Sequence, residues 1–185
     1  MFGFTKRGVI TAATLALLSG TAAYASNVHF KPPNSQPAFT DGGLILSATG
    51  TLAGLGNGDV LVDLTAEANP TGTCTNPGGG TQPPGQNPAP VQVTGSQAIP
   101  DSQIKNGTVS FNVVTNPPVT PVVGAPDCPN PQWKEDITDM AFTSAVIEIR
   151  QGPMPPPVVL TASCRFTSPT TNGSVPKGNV TCVIQ

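Results

Sequence analysis

Nucleophilic catalysis needs a base beside its nucleophile, and this sequence offers one histidine, His29, in the run Asn27-Val28-His29-Phe30-Lys31. The segment reads as an edge strand or a frayed end, a poor foundation for a Ser–His–Asp site. The four cysteines, Cys74, Cys128, Cys164 and Cys182, nowhere approach the ~2–4-residue spacing of a zinc knuckle. Paired carboxylates are the remaining route to acid–base work. Asp59 and Asp63 fall on one side of a strand-like run, and Glu135 and Asp139 share a side if their segment is a helical turn. Carboxylates bordered by Thr on an outward face are ordinarily just solvated, so no catalytic residue is assigned. Calcium suits the oxygen ligands better: Glu135, Asp136 and Asp139 form the densest acidic cluster, with Asp127 upstream across Cys128-Pro129-Asn130-Pro131. Their spacing is not that of an EF-hand. These four are weak calcium candidates, and no cofactor is expected. Gly56 and Gly78–Gly80 do not lead from a strand into a helix with a following Lys, so they are not phosphate cradles.

Trp133 is the only tryptophan. Beside a cysteine-bearing loop it is either a plug packed on a disulfide or an exposed platform for a sugar ring. Sugar-binding sandwiches need more than one aromatic on a face, so the plug is preferred, with Trp133 kept as the candidate binding aromatic. The Asn-x-Ser/Thr sequons at Asn106, Asn172 and Asn179 are read as turn residues.

The elements that must position these residues follow from composition. The 185 residues include 22 Pro and 20 Gly, only 10% are charged, and 5% are aromatic. A soluble domain averages about 25% charged residues. The glycines have no three-residue period, which excludes collagen, and no block of basic residues exists to hold a nucleic-acid backbone. Lys6 and Arg7 precede an apolar run from Gly8 to Leu18, and Ala23-Tyr24-Ala25 supplies small residues for cleavage. Residues 1–25 therefore read as a signal peptide and 26–185 as one exported domain. Thr11, Thr14, Ser19 and Thr21 interrupt the apolar run, leaving it short of the ~20 residues of a membrane anchor. Loss of Lys6 and Arg7 takes the 8 basic residues to 6 against 10 acidic ones, so an anionic partner is disfavoured.

Period-two patterning dominates the exported part. Leu44, Leu46, Ala48 and Leu52 alternate with polar residues, as do Val60, Val62, Leu64, Ala66 and Ala68. Gly54-Leu55-Gly56-Asn57-Gly58-Asp59 between them has the glycines of a hairpin turn. Further runs are Val91–Thr94, Thr108–Val114, Phe142–Arg150, Val158–Phe166 and Gly178–Ile184. The expectation is an all-β, single antiparallel β-sandwich, Ig-like, with about seven strands and long Pro/Gly loops. Lys134–Met140 reads equally as a helical turn or an irregular loop. Asn76–Pro90 and Asn116–Pro131 are long loops, and Met154-Pro155-Pro156-Pro157 is a stiff link between two strands.

An even cysteine count in an exported chain argues for two disulfides, with three connectivities open. Cys164 and Cys182 lie in alternating runs, while Cys74 and Cys128 lie in Pro/Gly/Asn loops. Pairing like with like favours Cys164–Cys182 and Cys74–Cys128.

Leu52-Ala53-Gly54-Leu55-Gly56-Asn57-Gly58-Asp59-Val60, Cys74-Thr75-Asn76-Pro77-Gly78-Gly79, Pro84-Gly85-Gln86-Asn87-Pro88, Asp127-Cys128-Pro129-Asn130-Pro131 with Trp133, and Phe142-Thr143-Ser144-Ala145 together resemble a set of small exported, mostly bacterial, β-rich proteins of uncharacterised function. That resemblance implies export and one β-rich domain, and it assigns no activity.

The function expected is that of a non-enzymatic extracellular β-sandwich, a surface, matrix or binding module whose partner is a protein or polysaccharide. The alternatives are a fibre subunit assembled by strand addition through the Ser26–Thr40 arm, a secreted inhibitor presenting the Thr75–Pro90 loop, and a carboxylate-based hydrolase. A monomer or weak dimer is favoured over a fibre.

Overall fold

The computed structural model describes residues 27–33, 35–85 and 88–185, so the leader expected over 1–25 lies outside the described residues. Eleven strands form two antiparallel sheets, with no α-helix among the described residues. In the first sheet, β3 (Leu46–Ala53) is central. β1 (His29–Phe30) and β2 (Ala38–Asp41) lie end to end along one side of it, β7 (Val109–Val114) lies along the other, and β10 (Gly173–Ser174) adds to β2. The second sheet runs β11 (Val180–Ile184), β9 (Val158–Phe166), β8 (Lys134–Gln151), β4 (Val60–Thr75). The far side of β4 is shared by β6 (Val91–Ile99) and β5 (Thr81–Gln82).

The seven alternating runs are all strands. The four additional ones, β1, β2, β5 and β10, are two to four residues long, too short to show a period. The count of about seven is thus corrected to eleven. A second correction concerns Gly54–Asp59: β3 and β4 belong to different sheets, so this segment is an arch between layers and not a hairpin. Alternation on both sides of a Gly-rich turn looks the same in either case. The buried Gln151 side chain holds the arch, accepting the Gly56 N–H at 2.9 Å and donating to the Gly56 and Gly58 carbonyls.

A third correction is larger. Lys134–Met140 is neither helix nor loop but the first part of β8, paired with the far half of β4 from Pro70 to Thr75. A register shift between Thr71 and Gly72 buries Ile137 and Met140 three positions apart, which disguises the strand period as a helical one. Pro70 is tolerated inside β4 because β6 stops at Ala68, leaving an open side where no N–H is required.

Inward residues of both sheets make one core, joined by the edge-to-face contact of Phe39 with Phe166 at 5.3 Å. Burying such side chains stabilises by ~1.5–3 kcal/mol each. A buried polar knot adds direction. Asp41 accepts the Gly43 N–H at 2.9 Å and the Thr170 hydroxyl, while Thr170 Oγ1 accepts the Phe142 N–H at 2.8 Å. On the opposite side the sheets almost touch: Asn116 N–H donates to the Thr94 carbonyl at 2.8 Å. A Cβ on Gly95 would lie 1.9 Å from the Val114 carbonyl oxygen.

Candidate functional site

The paired far halves of β4 and β8 extend past the end of β6 as a two-stranded ribbon, and a ribbon of this kind needs a cover for its apolar side. Two loops provide it. The 76–85 segment turns back at Asn76–Gly80, where Asn76 N–H donates to Gly80 O and Asn76 Oδ1 accepts the Gly80 N–H, both at 2.9 Å. Pro84 then packs against the ribbon at Gly72, where an added Cβ would meet its ring at 3.0 Å.

The second loop, 115–133, is fastened at several points. Val122 N–H donates to Glu135 O at 2.8 Å, Ile137 N–H to Thr120 Oγ1 at 3.0 Å, and Gly85 N–H to Asp127 O at 3.0 Å. Ala125 is buried with a φ of 42°, a left-handed conformation that costs a non-glycine residue ~1–2 kcal/mol. Two turn bonds, Ala125 N–H to Val122 O and Cys128 N–H to Ala125 O, hold it there. The Cys74–Cys128 disulfide closes the assembly over 54 positions. By the chain-entropy relation such a bridge stabilises by ~4 kcal/mol. Cys74 is a buried residue of β4, not a loop residue as its Pro/Gly surroundings implied. The second bridge, Cys164–Cys182, joins directly opposed residues of β9 and β11.

Glu135 stands opposite Cys74 across the ribbon and is 1% exposed. Its carboxylate accepts the Asp127 N–H at 3.3 Å. Burial pushes the Glu135 carboxyl above its ordinary range, the Asp127 N–H pulls it back, and the negative charge of Asp127 pushes it up again. The other acidic candidates are elsewhere. Asp136 turns to the outer side and pairs with Lys134 at 2.9 Å. Asp139 sits beside the β2–β3 turn, near Gly43. Of the four calcium candidates, only Asp127 and Glu135 meet. No group of three or more metal-ligating side chains of the His, Cys, Asp or Glu type occurs among the described residues.

The carboxylate pairs are likewise dispersed. Asp59 accepts the Asp101 N–H at 2.8 Å, whereas Asp63 takes the Ser96 hydroxyl at 2.6 Å and pairs with Arg150 at 3.1 Å. Glu135 and Asp139, on either side of the register shift, do not face one another. His29 bonds the Asn27 carbonyl at 2.8 Å, with no nucleophile in that contact. Trp133 is half-buried at the exit of the 115–133 loop, its main-chain N–H donated to Asn130 O at 3.1 Å. It is not sealed in the core.

What sequence reading missed is a groove of about 410 Å³ between β6 and the start of the stapled loop. Val91, Gln92, Thr94, Asn116, Pro117, Pro118, Val119, Val122 and Ile137 line it. At its rim Val119 is 81% exposed, and further along the loop Val123 is 90% exposed. The signal was present in Pro117-Pro118-Val119-Thr120-Pro121-Val122-Val123, an apolar run with too many prolines for a strand and no core of its own to fill.

No family model matches the sequence, and no curated protein or solved structure is significantly similar to it.

Proposed function

We propose that this chain is a non-enzymatic extracellular binding module that takes a segment of another protein in the groove at the stapled end. The observation that carries the reading is the exposure of Val119 and Val123 on a loop held by a disulfide and four hydrogen bonds, two of them main-chain to main-chain. A contiguous exposed apolar patch marks an interaction surface, and Val119 continues the apolar lining of Val91, Pro117, Pro118 and Val122; pre-ordering lowers the entropy lost on binding. The described residues that line the groove include no aromatic ring and several apolar side chains, so a protein segment with apolar side chains fits it better than a polysaccharide. Export agrees with the two disulfides. No helix among the described residues is long and apolar enough to cross a membrane.

The other readings find less support. The Ser26–Thr40 arm, offered as a donor strand, spends β1 and β2 on its own β3. A hydrolase needs two carboxylates flanking a substrate, and the candidate pairs lie apart. The inhibitor reading keeps the exposed Pro77–Pro83 part of its Thr75–Pro90 loop as its only argument.

Selection of a phage-displayed random peptide library on the purified protein tests the proposal. Enriched peptides should carry apolar side chains and lose binding to Val119→Asp. Peptides that bind Val119→Asp equally well, or turnover of glycan, ester or peptide substrates, would contradict it.

A further inference from the structure

The lateral edges of the two sheets are guarded unequally. β6 and β7 close against each other through the Asn116 N–H to Thr94 O bond, and β10 and β5 are each two residues long. β11 is different. It runs Val180–Ile184 without a charge, a proline or a bulge, the devices by which exposed edges are normally blunted. Its bonds to β9 are made at Thr181, Val183 and Gln185, since Gln185 and Thr161 exchange both N–H···O bonds at 2.9 Å and the pattern alternates from there. The N–H and C=O groups of Cys182 and Ile184 therefore point outward. Val183 is 58% exposed and Ile184 37%, so both faces of the strand remain apolar at this end. The Cys164–Cys182 bridge pins the strand to β9 and keeps it extended.

Among the described residues one hydrogen bond covers this edge. Gln36, exposed in the stretch between β1 and β2, accepts the Cys182 N–H through Oε1 at 2.8 Å. Beside it the seam is loosely filled, with a cleft of about 210 Å³ lined by Ser35, Gln36, Pro37, Lys177 and Val180. A single glutamine thus takes the place that a neighbouring strand would occupy.

We infer that the outer edge of β11 is a strand-pairing site for the β11 of a second copy, held shut in the free chain by the Gln36 side chain. The occupant is a second copy because main-chain pairing demands another strand with outward N–H and C=O groups, and the outward groups of β11, guarded among the described residues by the Gln36 side chain alone, are such a set. Antiparallel pairing about a two-fold axis through Val183 sets Cys182 against Ile184 of the second copy and Val183 against Val183, with no charged residue in the register. Both Cys182 N–H groups are needed for that pairing, so Gln36 must release first. The inference is independent of the groove proposed above, which lies at the other side of the sandwich-like fold beside β6.

Sedimentation equilibrium of the full exported chain tests it. Gln36→Ala should self-associate about tenfold or more tightly than the unsubstituted protein, because each copy loses one competing hydrogen bond. Adding Val183→Lys should return it to monomer, and amide exchange at Ile184 should slow with concentration only in Gln36→Ala. Should Gln36→Ala lower the melting temperature, Gln36→Asn, whose amide stops one methylene short, makes the same test. The inference is overturned if both Gln36 variants remain monomeric over the range in which the unsubstituted protein does, or if their association survives Val183→Lys.

Discussion

At Gly95 the requirement for glycine comes from the neighbouring sheet and not from a turn. The Val114 carbonyl oxygen occupies the space of a Cβ at 1.9 Å, and backbone cannot move aside as a side-chain end can. Gly95→Ala should therefore lower stability by about 2 kcal/mol or more, in line with the larger overpacking penalties. Gly178→Ala meets nothing within 4 Å and should stay within about 0.5 kcal/mol. Urea unfolding midpoints of the two variants check this contrast. Glu135 supports a pH prediction of definite sign. Its folded carboxyl titrates above its ordinary range because it is buried beside Asp127, so the folded chain binds a proton that the unfolded chain releases earlier. The stabilisation from this group is complete at acid pH and is lost as pH rises from the ordinary carboxyl range, about 4.3, through the raised folded value. Glu135→Gln, uncharged at every pH, should remove that slope. The difference in unfolding free energy between the two proteins, followed from acid to neutral pH, should move steadily in favour of the variant. An unchanged difference would show that Glu135 titrates like an exposed carboxylate.

At the scale of elements, the two disulfides have separate duties. Cys164–Cys182 ties an edge strand to its neighbour, while Cys74–Cys128 ties to the ribbon a loop that otherwise pairs with it only at the isolated Val122–Glu135 bridge. Replacing Cys74 and Cys128 with Ser should cost up to ~4 kcal/mol and should raise amide exchange first in residues 115–133. Peptide-level exchange mass spectrometry reads this directly, and uniform loss of protection across both sheets would contradict the division of labour. The strands themselves were largely legible in the sequence. Val60, Val62, Leu64, Ala66 and Ala68 line up inward as their alternation requires, because a half-buried strand writes its period into the chain. What was illegible has physical causes. The register shift in β8 placed Ile137 and Met140 out of step, and a buried Glu135 sat where the period calls for an apolar residue. Four acidic residues close in sequence were sent to three different surroundings, since alternate strand residues face opposite sides. The groove was illegible for another reason: its walls come from β6, β8 and a distant loop, and only the tertiary fold brings them together.

At the scale of the molecule, the two sheets share one core and are stitched along both flanks, by Asn116 and Thr94 on one side and by the Asp41–Thr170 knot and Gln36 on the other. The ribbon end stands apart from this frame, covered by loops that contribute little core and much exposed apolar surface. A sandwich-like body that carries recognition on stapled loops is the division of labour the proposed function requires. Its central claim is that the rigid, apolar loop end does the binding. The most direct measurement is the affinity of one library-selected peptide for three proteins by titration calorimetry: the unsubstituted chain, Val119→Asp, and the Cys74→Ser/Cys128→Ser double variant. With circular dichroism confirming that both variants keep their strands, the account predicts at least about tenfold weaker binding to each, since one removes the apolar contact and the other its pre-ordering. Equal affinity for all three folded proteins would contradict it.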